Sequence, residues 1–440
     1  MFKIKSIRKF TDEDFQEILF KGGVYLLFQV GGSLASYLFT YFVAKEYGAE
    51  VNGLLTISFT VILLVSVIGR FGTDLNIIRF YANSKNRDNQ GVFLKTLMVV
   101  FLFSSFLALI VFYFKDQLSF NIFKMPNLEG YFFWIALTIP LWSLIINFGG
   151  FFRAQKKNTL YAFFNNPGRF ILSLTIFLLL IFNYQKGNLL PIKAHFYGIL
   201  VLFIICIFFY ASYLSRPSIQ FKGRVNNFIR DSLPMMVSET ISLFLIFIDT
   251  IILGLFENEE TVGIYNVSFK IAALTVFTLQ AFNSILAPKI AKSFSEENYA
   301  DAQKMIKLST NFNFYITLSI VFVIFIFNKQ LLFIFGEEFV SGYTVLLILS
   351  IGQLINSLSG SVGVILQMSG HQKVYRNLII FALAINFILN LILTPIYGAI
   401  GTATATVVSL SLWNILGALY IKKRLGIISY FTLNFIKNEN

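Results

Sequence analysis

Ser215-Arg-Pro-Ser-Ile-Gln-Phe-Lys-Gly-Arg-Val-Asn-Asn-Phe-Ile-Arg-Asp231 is the longest polar connection in a 440-residue chain that is otherwise mostly apolar. It carries Arg216, Lys222, Arg224 and Arg230 and falls near the midpoint. A helix needs about 20 apolar residues to cross a hydrocarbon core of ~30 Å. Working outward, six such segments precede the connection and six follow it. The first six are Phe20 to Val43, Leu54 to Gly72, Val92 to Tyr113, Tyr131 to Phe151, Phe163 to Tyr184 and Phe196 to Leu214. The second six are Leu233 to Leu255, Ile264 to Ile290, Phe312 to Phe327, Tyr343 to Gln367, Leu378 to Ile396 and Ala399 to Ile421. The pattern predicts an all-α membrane protein of twelve transmembrane helices in two six-helix lobes. The N-terminal lobe is 1–215, a basic cytoplasmic linker is 216–230 and the C-terminal lobe is 231–440.

The loop charges fix the orientation. Of 35 Lys and Arg, 26 lie in the termini and alternate loops, six in the intervening loops and three inside apolar segments. Cytoplasmic loops of membrane proteins carry this excess of cations, so both ends are expected in the cytoplasm. The outer loops hold only Lys45, Lys115, Lys124, Lys186, Lys193 and Lys329. Gly53-Leu-Leu-Thr-Ile-Ser-Phe59 overlays Gly263-Ile-Tyr-Asn-Val-Ser-Phe269 at the starts of the second and eighth spans. Both follow an outer loop, so the lobes are expected to be parallel repeats with pseudo-two-fold symmetry about an axis along the membrane normal.

Composition agrees, with 56% hydrophobic and 13% charged residues, far from a soluble domain. The net charge of +13 borders apolar segments, which points to anionic membrane lipids as counter-charge and away from nucleic acid. Cys206 is the single cysteine, which excludes an intramolecular disulfide, and no Cys/His spacing suggests a metal. No cofactor is indicated. The first apolar run is too long for the core of a cleavable signal peptide. Thr11 with Asp12, Glu13 and Asp14 resembles a helix start. The helix it opens either lies on the membrane surface or extends the first span. His195 and His371 both read as loop residues, and His195 as solvated on the outer side.

Charges inside spans are costly and mark function. Arg70 and Asp74, four apart, share a helical face near the cytoplasmic edge, as an inward-facing pair or as snorkelling groups. Arg169 follows Pro167 in the fifth span and reads as a cavity residue in preference to a structural one. Glu239 and Asp249 lie in the seventh span and Lys270 in the eighth, with Asp249 and Lys270 at similar depth. An Asp249/Lys270 pair either locks two helices or couples an ion, and Glu239 is the candidate protonatable coupling site. Gln29, Asn147, Gln280, Asn283, Gln353, Asn356, Asn386 and Asn390 also fall in spans, and as a group they suit a wet cavity that meets sugar hydroxyls. The first span carries no carboxylate, which disfavours a pump for cationic drugs.

Several runs carry a family resemblance. They are Asp249-Thr-Ile-Ile-Leu-Gly254, Val262-Gly-Ile-Tyr-Asn-Val-Ser-Phe-Lys-Ile271, Leu286-Ala-Pro-Lys-Ile-Ala291, Phe335-Gly-Glu-Glu-Phe339, Met368-Ser-Gly-His-Gln-Lys373, Ile388-Leu-Asn-Leu-Ile-Leu-Thr-Pro-Ile-Tyr-Gly398 and Gly401-Thr-Ala-Thr-Ala405. In the first half Tyr47-Gly48 and Arg79-Phe-Tyr-Ala82 join them. Together they resemble bacterial polysaccharide flippases of the multidrug/oligosaccharidyl-lipid/polysaccharide exporter superfamily. The resemblance implies a non-enzymatic exporter in the bacterial cytoplasmic membrane. It would move an oligosaccharide repeat unit on undecaprenyl pyrophosphate, for O-antigen, capsule or a similar surface polymer, by alternating access, with a polysaccharide polymerase as a further partner. Lipid II flippases of the superfamily carry two further spans, whereas nothing long and apolar follows Ile421 here. Arg70 and Arg169 are then expected to hold the pyrophosphate through charge-assisted bonds. The alternatives are a cation-coupled multidrug exporter and a membrane polymerase or ligase acting on lipid-linked glycan. The outer loops are poor in acid, base and nucleophile groups, which weighs against the enzyme.

Overall fold

The computed structural model describes residues 12–82, 89–165, 167–183, 187–214 and 225–433, with side chains from Phe28 onward. Residues 216–224 of the basic linker and the loop cations Lys85, Arg87 and Lys186 fall outside the described residues. The N-terminal lobe comprises α1 (Asp12–Gly69), α2 (Thr73–Ala82), α3 (Gln90–Tyr113), α4 (Glu129–Ala154), α5 (Asn158–Asn165), α6 (Pro167–Asn183) and α7 (Leu190–Leu214). The C-terminal lobe comprises α8 (Val225–Phe256), α9 (Glu259–Ala272), α10 (Leu274–Ser295), α11 (Tyr299–Phe333), α12 (Tyr343–Ser359), α13 (Val362–Met368) and α14 (Gln372–Leu425).

Twelve spans emerge once the breaks are considered. Eight helices among the described residues are long and apolar enough to cross a membrane, and the bent pairs α5/α6 and α9/α10 raise the number to ten. Two of the eight are double length. The 54 residues of α14 would run about 80 Å at 1.5 Å per residue, more than twice the hydrocarbon thickness. Each double helix is broken at one non-helical glycine, Gly48 (φ 79°, ψ −173°) in α1 and Gly398 (φ 56°, ψ −136°) in α14. Only glycine adopts such backbone without strain. Each break therefore separates two spans, and the total is the twelve expected.

Some boundaries differ from expectation. Helix α8 begins at Val225, so the last residues of the expected linker belong to the seventh span. Helix α7 starts at Leu190, six residues before the apolar run, because the segment containing Lys193 and His195 is packed inside the lobe. Asp12 begins a helix continuous with the first span, the second of the two alternatives for that segment.

The lobes meet along a seam that contains the two overlaid glycines. A Cβ on Gly53 would lie 1.7 Å from the Glu259 carbonyl oxygen and one on Gly263 would lie 2.0 Å from that of Ala49. The contact is reciprocal, as a two-fold relation between repeats requires. Asn52 adds a hydrogen bond from its amide to the Gly263 carbonyl at 3.2 Å. The carboxylate of Glu338, from the Phe335 to Phe339 run, accepts the Ala49 N–H at 2.6 Å. It thereby caps the second span and complements the positive end of its dipole.

The N-terminal lobe is held by an aromatic core. Phe93 stacks on Phe151 at 4.6 Å, Phe152 on Phe164 at 5.5 Å, and Tyr210 packs edge-on against Phe151 at 5.3 Å. These rings fill volume where lipid-like interiors offer no hydrophobic gain for helix association, so packing itself must supply the energy.

Candidate functional site

The charged residues inside the membrane separate into three clusters. At one end of the seam, Arg70 is 4% exposed. Its Nε donates to Asp74 Oδ1 at 3.2 Å and its Nη2 donates to Glu239 Oε1. Helix α1 ends beside it at Gly69, and the turn that follows holds Phe71 and Gly72, both with positive φ. That turn brings α2 against α8, where a Cβ on Gly72 would meet the Met236 nitrogen at 2.4 Å. Asn76 donates to the Phe228 carbonyl at 2.9 Å and to Ser232 Oγ at 3.0 Å. Arg70 therefore joins the lobes with its charge already matched by two carboxylates. A guanidinium so paired has little charge left for a substrate anion, which favours a latch between the lobes over the expected pyrophosphate ligand.

The second cluster surrounds Asp249 and lies wholly in the C-terminal lobe. Asp249 Oδ1 accepts from Asn386 Nδ2 at 3.1 Å and Asn390 Nδ2 at 2.7 Å, and Oδ2 accepts from Thr406 Oγ1 at 2.6 Å. The Tyr265 hydroxyl lies 3.5 Å from Oδ2. Thr394 and Thr402 extend the cluster with a mutual contact of 2.9 Å across the two halves of α14. A Cβ on Gly401 would meet the Leu393 carbonyl at 2.2 Å, so that glycine lets the two halves approach. The expected Asp249/Lys270 pair is not formed. Depth along neighbouring helices placed the two residues level, but their side chains leave on different faces.

Lys270 instead reaches into the N-terminal lobe and starts the third cluster. Its Nζ donates to Thr40 Oγ1 and lies 5.9 Å from the Tyr37 ring centre, while the Tyr37 hydroxyl donates to the Lys270 carbonyl at 2.6 Å. Arg169 is 2% exposed and lies near enough to Lys270 for the two cations to repel. Its guanidinium is caged by the rings of Phe59 at 4.9 Å, Trp142 at 5.2 Å and Phe170 at 4.9 Å. Each such contact is worth about 0.5 to 2 kcal/mol. Nε donates to His195 Nε2 at 3.2 Å, and Nη2 is buried without a hydrogen-bond partner. Neither Arg169 nor Lys270 has a carboxylate partner among the described residues. Two cations, one from each lobe, thus stand near the seam with only ring faces, hydroxyls and an imidazole around them. Such a site is complementary to an anion.

His195 corrects the sequence reading most sharply, since it is fully buried inside the N-terminal lobe and not solvated. The uncharged residues divide. Asn147 is fully buried, accepts from Thr73 Oγ1 at 2.7 Å and donates to the Ser143 carbonyl at 2.9 Å. Its expected place in a cavity wall is therefore corrected to a structural tie that holds the α1–α2 turn on α4. Gln29, Gln353 and Asn356 are half-buried and Gln280 is exposed. Asn356 accepts from Asn414 at 3.1 Å, and Asn283 keeps a buried Oδ1 without a partner.

Sequence reasoning missed Thr406, Tyr265 and His195. The first two were within reach, since Tyr265 lies in the run from Val262 to Ile271 and Thr406 directly follows Gly401 to Ala405. Nothing in the sequence pointed to His195, because one polar residue at the edge of an apolar run looks like a loop.

The sequence model described as polysaccharide biosynthesis protein matches residues 18–294, and the MatE model matches residues 234–392. A probable low-salt glycan biosynthesis flippase of Haloferax volcanii is 26% identical over 215 residues, 49% of this chain and 45% of that protein. The chain thus matches about half the length of that relative. An uncharacterised membrane protein of Methanocaldococcus jannaschii is 24% identical over 407 residues, covering 89% of this chain and 95% of its own length. Among solved structures, the lipid II flippase MurJ in an inward closed conformation superposes with a TM-score of 0.68 at 14% identity, covering 91% of this chain and 87% of that one. That likeness establishes the shared fold.

Proposed function

Because the chain belongs to the polysaccharide biosynthesis protein family, we propose that it is a flippase moving a lipid-linked oligosaccharide across the cytoplasmic membrane by alternating access. On this reading it is a transporter without enzymatic chemistry, and both termini lie in the cytoplasm. The resemblance of half the chain to a glycan biosynthesis flippase supports the substrate class. The observation that carries the reading is the unpaired Arg169 and Lys270, one from each lobe. Burying a charge without a partner costs several kcal/mol, and a phosphate-bearing head group would relieve both at once. The glycan's hydroxyls would each lose roughly 2 to 7 kcal/mol in hydrocarbon without a partner. Half-buried Gln29, Gln353 and Asn356 offer replacement bonds, while the prenyl tail stays among the acyl chains.

The test uses proteoliposomes containing a fluorescent prenyl-pyrophosphate-linked disaccharide, with flipping read as loss of fluorescence to a membrane-impermeant quencher. Arg169→Gln and Lys270→Gln are each expected to slow flipping by about tenfold or more, the factor for one lost charge-assisted bond of 1.5 to 3 kcal/mol. Wild-type rates in both variants would sink the reading.

Asp249 is proposed as the coupling site. Its ligating groups are all neutral, so they satisfy the carboxylate's lone pairs but leave its charge uncompensated, and a proton or a small hard cation completes the cluster. The oxygens of Thr394, Thr402 and Thr406 lie around it in the same cluster. Asp249→Asn keeps the shape and removes the charge. Flipping by this variant is expected to become indifferent to imposed sodium and proton gradients while the protein stays folded. A gradient response equal to wild type refutes the assignment. A cation-pump reading is disfavoured by the sign of the central charges and by the first span, which holds no carboxylate.

A further inference from the structure

We propose that His195 and Ser173 form a positioning relay that directs the free edge of Arg169 at the substrate's phosphate. The proposal rests on the reading of Arg169 and Lys270 as an anion seat and adds what aims one of its two arms.

The hydrogens can be placed by elimination. Ser173 Oγ lies 2.7 Å from the Arg169 backbone carbonyl, which only accepts, so the serine hydroxyl donates there. The same Oγ lies 3.0 Å from His195 Nδ1. With its one hydrogen spent, the serine must accept from Nδ1–H. The neutral ring then has a bare Nε2, and this nitrogen accepts the Nε–H of Arg169 at 3.2 Å. The circuit therefore runs from the arginine side chain through histidine and serine back to the arginine's own backbone. Every donor in it has one acceptor, and both Ser173 and His195 are fully buried.

The local sequence makes this possible. A Cβ on Gly198 would lie 2.7 Å from both the nitrogen and Oγ of Ser173. Glycine there lets α7 approach α6 closely enough for the imidazole, one turn earlier at His195, to reach the arginine. Phe59 closes the assembly, with its ring centre 4.4 Å from the imidazole and 4.9 Å from the guanidinium carbon.

The physical role follows from what the aromatic cage lacks. Ring faces attract a cation but are weakly directional, so three of them leave the guanidinium free to turn. Fixing Nε to a bare histidine nitrogen removes that freedom and turns the end of the guanidinium, with its unpartnered Nη2, into a directed donor. Arginine's advantage over lysine at phosphate oxygens depends on such orientation. His195 is in this sense a positioning residue, since it acts on substrate only through Arg169.

The test has a spectroscopic arm and a binding arm, both on the full chain in lipid nanodiscs. The protein has two histidines, so His371→Asn leaves His195 as the single imidazole in a sample labelled with nitrogen-15 at histidine. At neutral pH the spectrum is expected to show Nδ1 protonated and Nε2 bare, and Ser173→Ala is expected to shift the population toward the opposite tautomer. A wild-type ring protonated at Nε2 overturns the relay. In the binding arm, inorganic pyrophosphate is titrated. His195→Phe is expected to weaken it about tenfold, the scale of one misdirected charge-assisted bond. His195→Gln, whose amide can accept from Arg169 and donate to Ser173, should recover most of that loss, and Ser173→Ala serves as a second variant that removes a single hydroxyl. Wild-type binding in His195→Phe alongside weak binding in Arg169→Gln overturns the relay and leaves the seat standing. Undiminished binding in Arg169→Gln, or none in the wild type, overturns both.

Discussion

Replacing Gly53 with alanine is expected to stop flipping, and replacing Gly263 with alanine to do the same. At each position a Cβ would fall inside the van der Waals radius of a carbonyl oxygen on the other lobe, at 1.7 Å and 2.0 Å. An overlap with a flexible side chain could be relieved by a rotamer change. Here the obstacles are the backbones of Glu259 and Ala49, themselves held in helices, so the spans must separate. Small residues at membrane helix contacts exist to permit this closeness. Ordinary overpacking costs about 1 to 3 kcal/mol, and a clash of this depth belongs at or beyond the upper end. If closure of this end is part of each cycle, turnover should drop by at least about tenfold, which corresponds to 1.36 kcal/mol. The structural signature is access. Thr56 lies one turn beyond Asn52 on the same face. A Thr56→Cys probe, introduced with Cys206→Ala, should react faster with a polar thiol reagent when either alanine is present. Unchanged turnover and unchanged labelling in both glycine variants would show that this contact is not required.

A comparable loss is expected from Arg70→Ala, for a different reason. Arg70 is enclosed between Asp74 and Glu239, and its removal leaves two carboxylates facing each other with no cation. Breaking a buried pair by deleting one partner costs about 3 to 5 kcal/mol. The side chain of Glu239 retains 24% exposure, so water will relieve part of that cost, and the lower end is the better figure. The result should be a seam that opens at the Arg70 end and a large loss of flipping. The partner substitution separates a latch from a phosphate clamp. If Arg70 latches the lobes, Glu239→Gln weakens the same contact and mimics Arg70→Ala more mildly in thiol labelling at that end of the seam. If Arg70 binds substrate, Glu239→Gln frees it and tightens pyrophosphate binding. Tighter binding would return Arg70 to the role the sequence suggested.

Much of the architecture was legible because lipid imposes it. Backbone polar groups must be satisfied within each span, so span number follows from runs of about 20 apolar residues. The overlay of Gly53 on Gly263 also proved informative, since the two residues meet at the seam. The candidate site was legible only in its membership. Arg70, Arg169, Glu239, Asp249 and Lys270 all stood out as charges in apolar sequence, yet their pairing did not follow from depth. Asp249 and Lys270 looked level and turned to different partners, while Arg70 found Glu239 from the opposite lobe.

What the amino-acid order settled by itself is a twelve-helix membrane protein with its repeats and the identity of its costly buried charges. Those properties depend on transfer free energies, which are summed residue by residue along one chain. Which charges are neutralised, which stay open to a ligand, and that His195 rather than a carboxylate faces Arg169 were decided only by the packing of helices against one another. Helix rotation and separation fix those contacts to within an ångström, and a periodic pattern of apolar residues constrains the rotation of a fully buried helix hardly at all.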